Sequence, residues 1–472
     1  MPEEVTAVIE SYIDSFEAST KREKMSLGVD YYRSENTAIM NTKKLTYVQD
    51  DAGNAQLVED PYKANNKLPS GYLKLLVDQK INYLLGNEPN IETENELEAD
   101  DFMPNNWIQK TRSTAKEASQ KARGWLQPYI SEGELKVKEI PAEQVIPVYK
   151  ADNTDVLELV IRYYTVNALN EDNKVVQVNR VEVWDDKEVT YYQQNTQTML
   201  YNLLTPEEME LIFDKPYSNP KYHFQKNLRY GDRVKEEEGL SWDKVPFIPL
   251  FNNEEEDYDL QPVKRFIDAY DKVNSDFINN LEDFQEVYWI LKGYQGQNLN
   301  KFLDEVKRYK TLKVGDDGEA RSEQIDIPHA ARKEAKAGLE KDIFNFGMGV
   351  NPNNLDGGSI TNVVIKSRFA NLDLKCDQFE DEIKSFLDRL IYFVNVYRKE
   401  NEEEPIEVKE YTFNRSMIVN EVELLDANVN QKGNVSEQTR LGNHPWVNDA
   451  DKEIETMTNN AAGYISLGEE NE

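Results

Sequence analysis

Few residues in this chain have the types and the spacing that catalysis or metal binding requires. The three histidines, His223, His329 and His444, are far apart, and none stands in an H-E-x-x-H or H-x-x-x-H spacing. No serine, threonine or cysteine lies in a recognisable nucleophile motif, and the carboxylates are too numerous for one pair to stand out as an acid–base dyad. The sequence therefore predicts a protein that is not an enzyme and that holds neither a metal nor a cofactor.

One glycine-rich stretch has some of the character of a phosphate-binding loop. NPNNLDGGSIT, residues 351–361, contains the pair Gly357 and Gly358. A nucleotide loop also needs Lys-Ser/Thr after the glycines and a strand before them, whereas here that dipeptide is missing and a helix is predicted upstream. The stretch is more typical of a flexible polar break between two helices, and taken alone it reads as an ordinary connector.

Composition and charge restrict the class of protein further. The 472 residues are 39% hydrophobic, which is enough for several folded domains. With 55 basic and 88 acidic residues the formal charge is −33, and such a chain repels phosphate rather than wrapping nucleic acid with a basic face. The single cysteine, Cys376, falls on an apolar helical stripe and indicates a buried thiol in a reducing compartment. No secretory signal or run of 18 apolar residues is found, so we expect a soluble protein made in the cytoplasm.

The first half of the chain reads as helices followed by strands. Apolar residues at helical spacing predict helices within residues 3–40 and 71–85, separated by a polar loop at 43–66. Residues 99–129 are predicted to be partly helical. From 135 to 250 the sequence is rich in Val, Tyr and Thr with Asn and Asp turns, which is typical of strands.

The second half reads as long helices interrupted by one insertion. A stripe that includes Phe277 and Leu281 predicts a helix at 260–286 with one apolar face buried along its length. Residues 287–328 then read as a small α/β insertion with strands at 287–291 and 311–314 and a helix near 300–308. A second helix follows Pro328, with Ala335, Leu339, Ile343 and Phe346 on one face. After the glycine break a long helix extends from 362 to about 399, and 421–472 is predicted to be helical and polar.

This order of elements resembles that of the SPP1-like portal proteins of tailed bacteriophages. The resemblance rests on GYLKLLVDQKINYLLGNEPNI, on DLQPVKRFIDAYDKVNSDFINNLEDFQEVYWILKGYQG and on DGGSITNVVIKSRFANLDLKCDQFEDEIKSFLDRL, and it covers roughly residues 71–397. It implies an α+β portal fold and a ring, usually of twelve subunits, at one capsid vertex. Double-stranded DNA is packaged, retained and ejected through such a ring.

The resemblance also implies a division of the chain. The expected parts are a mixed α/β wing at 1–259, a stem helix at 260–286, a clip at 287–328, a second stem helix at 329–350, a tunnel loop at 351–361, a long wing helix with returning strands at 362–420, and a helical crown and tail at 421–472. The implied partners are other copies of the chain, the large terminase subunit, the head-completion or tail adaptor protein, and the major capsid and scaffolding proteins, without a membrane. The implied location is the virion, after assembly in the host cytoplasm.

Individual residues follow from this division. The tunnel loop would face DNA with Asn351, Asn353, Asn354, Asp356, Gly357, Gly358 and Ser359. Channel cations near the loop would be Lys333, Lys336, Lys341 and Lys366. Terminase and adaptor would dock on the nearly neutral clip through Lys301, Lys307 and Arg308, and Phe277 and Leu281 would pack the stem.

Two other classes of protein stay open at this point. One is a nucleotide-dependent enzyme, and the other is a cytoplasmic oligomeric scaffold or adaptor built from helical struts. An acidic conduit lets DNA slide because it does not bind phosphate strongly, which suits the portal interpretation.

Overall fold

The computed structural model describes most of the chain from residue 2 to residue 458. The described residues are 2–49, 55–60, 63–153, 155–169, 175–195, 200–213, 217–230, 233–283, 288–292, 319–323, 329–354, 361–416, 421–442, 444, 447, 450, 453–454 and 456–458. The mixture of helices and sheets in these residues confirms the α+β class.

The helices of the described residues are, in chain order, α1 (Pro2–Glu17), α2 (Thr20–Tyr32), α3 (Thr37–Met40), α4 (Tyr72–Leu85), α5 (Ala99–Phe102), α6 (Trp107–Lys121), α7 (Pro206–Phe213), α8 (Lys264–Asp283), α9 (His329–Phe346), α10 (Asn362–Glu400), α11 (Glu421–Asn430) and α12 (Glu437–Gly442). None of them is both long enough and apolar enough to cross a bilayer.

The strands of the same residues are β1 (Leu45–Gln49), β2 (Ala55–Glu59), β3 (Asn90–Thr93), β4 (Arg123–Ser131), β5 (Glu134–Ile140), β6 (Val145–Tyr149), β7 (Leu157–Leu169), β8 (Val175–Trp184), β9 (Glu188–Gln194), β10 (Tyr201–Leu203), β11 (Lys221–Tyr222), β12 (Phe224–Tyr230), β13 (Arg233–Leu240), β14 (Ile248–Phe251), β15 (Tyr288–Lys292), β16 (Glu319–Glu323) and β17 (Val408–Thr412). All the pairings between these strands are antiparallel.

The chain divides into two units, and each combines separate stretches of sequence. Unit 1 comprises Met1–Met25, Leu76–Tyr258 and Met348–Glu472, and unit 2 comprises Ser26–Leu75 and Asp259–Gly347. The two long stretches of unit 1 hold all its sheets, whereas unit 2 contains the helices α8 and α9.

Unit 1 is built around antiparallel sheets. Its largest sheet has the order β10-β9-β8-β7-β6, with β11 paired to β9, and a second sheet has the order β14-β4-β5. Trp125 is fully buried on β4, in a cluster with Val145, Val160 and Phe247. The Val-rich and Tyr-rich strands predicted at 135–250 are confirmed, and the strand region begins earlier, at Arg123.

The long helix α10 follows its sequence pattern closely. Cys376, Phe379, Ile383 and Leu390 are all buried with 1% exposure or less, as their spacing of three or four residues predicts. Burial raises the pKa of the Cys376 thiol to about 12. The thiol therefore stays protonated at neutral pH and behaves as a buried apolar group. The last residue of the predicted stripe, Tyr397, is instead half-buried and donates its hydroxyl hydrogen bond to the Gly133 carbonyl at 2.8 Å.

One sequence prediction in unit 2 is wrong. Residues 43–66 were expected to be a loop, but β1 and β2 form an antiparallel hairpin there, with Tyr47 opposite Leu57. The polar residues around the strands suggested a loop. The alternation of apolar residues, five residues long in each strand, was the signal that the prediction overlooked.

Candidate functional site

The predicted site residues that the structure describes lie mainly on the helix pair α8 and α9 of unit 2 and on the segment that follows α9. The two helices run antiparallel. Phe266 near the start of α8 stacks on Phe346 at the end of α9, with ring centroids 5.0 Å apart, and Phe277 meets His329 edge to face at 5.6 Å. These pairs fix the two helices to each other at both ends.

The buried face of α8 is only partly the one that the sequence predicts. Val263 and Ile267 are fully buried, and the same face continues with polar residues at intervals of four. Asp271, Ser275 and Asn279 have 0%, 1% and 3% exposure. The expectation of one apolar face buried along the whole helix is therefore wrong for its second half in the single chain.

These polar side chains bind the backbone of an extended segment, residues 66–70. The contacts are Ser70 N–H to Asp271 Oδ1 at 2.9 Å, Leu68 N–H to Ser275 Oγ at 3.0 Å, and Asn66 N–H to Asn279 Oδ1 at 2.6 Å. Two residues of extended chain advance about 6.6 Å and four residues of helix advance about 6.0 Å, so the two repeats stay nearly in register. The helix thus replaces a neighbouring strand as hydrogen-bond acceptor.

Asp271 is the most constrained member of this ladder. Its second carboxylate oxygen accepts a hydrogen bond from the Asn36 side chain, which is itself 1% exposed and also donates to the Ser70 carbonyl at 3.0 Å. Burial raises the pKa of Asp271, and the hydrogen bonds from Ser70 and Asn36 lower it in part. A D-x-x-x-S-x-x-x-N spacing within a predicted helix was the available signal for this polar face.

The two residues predicted to pack the stem differ in their surroundings. Phe277 is half-buried between His329 and Arg332, whose guanidinium carbon lies 5.8 Å from the ring centroid. Leu281 is 41% exposed in the single chain. Packing of this end of α8 against a second subunit is a prediction that the single chain does not test.

On α9, the buried residues are shifted by one position from part of the predicted stripe. Ile343 is fully buried as expected, but its buried neighbour is Phe344, which meets the Tyr72 ring at 6.0 Å. Ala335 is exposed, and Phe346 is 54% exposed despite its stack on Phe266. Much of the α9 surface therefore has no partner within the described part of this chain.

The four lysines proposed as channel cations fall into two kinds. Lys336 donates to the Asn274 side chain at 2.6 Å and lies 5.1 Å from the Tyr270 ring, so its charge is used within the helix pair. Lys333 and Lys341 are exposed on α9, and Lys366 is exposed in the first turn of α10. None of these three forms a salt bridge with another described residue.

The glycine break after α9 begins from a fixed point in unit 1. Val350 is 5% exposed, and the Gln79 side chain on α4 holds both its backbone groups, with Nε2 donating to the carbonyl at 2.7 Å and Oε1 accepting from the N–H at 3.1 Å. Asn351 then accepts from the Asn353 N–H at 2.9 Å, a local turn typical of asparagine. The backbone is described up to Asn354, in a short 3-10 turn, and Asp356, Gly357, Gly358 and Ser359 lie outside the described residues.

We expect Gln79→Ala to lower the free energy of unfolding by about 2 kcal/mol, because it leaves the N–H and C=O of buried Val350 without partners. Denaturant titration of wild type and variant at one protein concentration measures the difference. Gln177→Ala, at an exposed position of β8, is the matched control and should change stability by less than about 0.5 kcal/mol. An equally small effect at Gln79 would show that the anchor at Val350 is not needed.

The insertion between α8 and α9 is described only at its two strands. β15 pairs with β16, with Tyr288 opposite Glu323, which confirms the strand predicted at 287–291. The predicted helix at 300–308, the strand at 311–314 and the residues Lys301, Lys307 and Arg308 lie outside the described residues.

The histidines have ordinary packing surroundings. His223 accepts a hydrogen bond from the Trp242 N–H at 3.2 Å and lies against the Trp184 ring, and burial lowers its pKa to about 4. His329 is exposed beside Phe277. Over the described ranges, no group of three or more His, Cys, Asp or Glu side chains is arranged to hold a metal ion.

The chain resembles phage portal proteins over nearly its whole length. The family model for phage portal proteins of the SPP1 Gp6-like type matches residues 17–465. The portal protein of Bacillus phage SPP1 is 29% identical over 484 residues, which cover 98% of this chain and 88% of that protein. The portal protein of Clostridium phage phiCD119 is 28% identical over 466 residues, which cover 92% of each chain. Among solved structures, a chain of the "Neck of native GTA particle computed with C12 symmetry" aligns with a TM-score of 0.40 and 12% identity, over 87% of this chain and 97% of that one.

Proposed function

The chain belongs to the SPP1 Gp6-like family of phage portal proteins, and from this membership we propose that it forms the ring-shaped channel at one capsid vertex through which DNA is packaged, retained and ejected. The match of the family model to residues 17–465 carries this proposal, because it covers the sheets of unit 1 and the helix pair of unit 2 together. Portal proteins are structural virion components of the head–tail connector.

Within the ring, the division inferred from the family resemblance gives each segment a role. The proposed stem consists of α8 and α9, with the clip at 287–328 inserted between them, and the tunnel loop at 351–361 follows. The sequence order of α8, the pair β15–β16, α9 and α10 supports this division. The proposed wing contains the sheets of unit 1, and the crown begins at about 421.

The charge of the chain supports a conduit that handles DNA loosely. At −33 the protein repels the phosphate backbone, so DNA passes without the strong salt-dependent binding that a basic wall would give. Exposed Lys333, Lys341 and Lys366 are the proposed local cations, each free of a salt bridge to other described residues. Lys336 is a weaker candidate because Asn274 and Tyr270 already engage its ammonium group.

The proposed partners outside the ring dock on different parts of the chain. The clip takes the large terminase subunit during packaging and the tail adaptor afterwards, through Lys301, Lys307 and Arg308. The major capsid and scaffolding proteins contact the wing during assembly in the host cytoplasm. Twelve copies of the chain make up the proposed ring.

Negative-stain imaging of the purified full chain tests the proposal directly. We expect rings with a central opening and a mass of about twelve subunits. Monomers, or oligomers without a through-going hole, would contradict the portal assignment and favour the alternative of a non-portal scaffold. Measurable ATP hydrolysis by the purified protein would instead favour a nucleotide-dependent enzyme.

A further inference from the structure

The hairpin β1–β2 of unit 2 has the features of an element that is covered by another molecule. Its base is anchored, because the Asp60 N–H donates to the Lys44 carbonyl at 2.8 Å and the Lys44 ammonium lies 2.9 Å from Asp276 on α8. Beyond that base, the two five-residue strands pair only with each other among the described residues.

One face of the hairpin is apolar and exposed. Tyr47 and Leu57 stand directly opposite each other, and Leu45 lies two residues before Tyr47 on the same face. Their exposures are 76%, 52% and 49%. Every residue of β2 is exposed, so this small sheet buries almost nothing within its own chain.

Such a hairpin is poorly suited to remain in water. A two-stranded sheet without a covered face is at best marginally stable, and exposed strand edges are normally protected by charged residues or proline. The ten strand residues contain one charged side chain, Glu59, and no proline, although 30% of the chain is charged. The sequence of this element is that of a buried surface.

We propose that the face formed by Leu45, Tyr47 and Leu57 packs on the adjacent copy of this chain in the ring. This inference rests on the ring assembly of the proposed function. A head-to-tail contact repeated around a closed ring gives every hairpin the same cover, which a partner bound at one or a few positions would not provide. Subunits with a charge of −33 repel one another, and burial of apolar side chains is the contact that offsets such repulsion.

Site-specific photocrosslinking in the full-length assembled protein tests the contact. With the photoreactive amino acid p-benzoylphenylalanine at position 47, irradiation should give a ladder of covalently linked subunits on a denaturing gel. The matched control places the same amino acid at Gln56, on the opposite face of the same hairpin, where crosslinking should be at least several times weaker. Intact rings that yield only single subunits from position 47 would overturn the inference and leave the proposed function standing.

A second measurement uses dissociation of the assembly. The double variant Tyr47→Ser/Leu57→Ser should dissociate at a protein concentration about a hundredfold higher than wild type, because two large apolar side chains lose their cover. Thr46→Ser/Gln56→Ser, on the opposite face, should dissociate at the wild-type concentration. Equal dissociation of wild type and the Tyr47/Leu57 variant would overturn the hairpin contact alone, whereas a wild-type chain that forms no rings would overturn both the contact and the proposed function.

Discussion

Replacing Asp271 by alanine is expected to lower the free energy of unfolding by about 3 kcal/mol, the largest effect of any single substitution considered for unit 2. The change leaves the Ser70 N–H and the Asn36 side-chain amide without their buried acceptor. Hydrogen bonds to a charged acceptor contribute about 1.5–3 kcal/mol each, and relief of the buried carboxylate offsets part of that loss. Denaturant unfolding at fixed protein concentration gives the difference.

Lys272→Ala is the matched control for Asp271→Ala. Lys272 is the next residue on α8 and is exposed, so its removal should change stability by less than about 0.5 kcal/mol. Equal stability of the two variants would show that the ladder between α8 and residues 66–70 does not contribute to the fold.

The pH dependence of stability provides a separate test of Asp271. Burial raises its pKa, so the folded chain binds the Asp271 proton more tightly than the unfolded chain does. Its contribution to the free energy of unfolding is therefore largest below the ordinary carboxyl pKa and decreases as the pH rises through the raised value. Asp271→Asn removes this titration while keeping one acceptor oxygen, so the wild type should gain stability relative to Asp271→Asn as the pH falls.

Deleting residues 353–359 is expected to leave the rings intact and to impair DNA transport. The deletion keeps the anchor of Val350 on Gln79 and the start of α10, so assembly and thermal stability should be close to those of wild type. If this segment contacts the duplex at the narrowest point of the channel, its loss should reduce the length of packaged DNA, or the fraction retained, severalfold. A packaging assay with the cognate motor measures both quantities.

The matched variant replaces residues 353–359 by a Gly-Ser sequence of equal length. It keeps the reach and flexibility of the loop but removes its asparagine and aspartate side chains. Normal packaging by this variant and failure of the deletion would show that length and flexibility are what DNA transport requires. Full-length packaging and normal retention by the deleted ring would show that NPNNLDGGSIT only connects two helices.

The amino-acid sequence by itself determined the elements whose burial depends on their own periodicity. The stripe Leu73, Leu76, Val77, Ile81 and Leu84 on α4 is fully buried, and most of the predicted stripe on α10 is buried as well. An apolar face on a long helix must be covered by something, whichever surface it meets, so the pattern alone predicts its burial. The strands at 135–250 and the end of α9 before the glycine break were predicted for the same local reasons.

The tertiary structure alone decided which polar groups are buried and which apolar groups are exposed. Asp271 is buried because residues 66–70, some two hundred positions earlier in the chain, bring their N–H groups to α8. Lys336 is withdrawn from solvent by Asn274 and Tyr270, and Leu281 is exposed although it continues an apolar stripe. The cost of burying a polar group depends on whether a partner lies within hydrogen-bond distance, and only the fold brings such distant partners together.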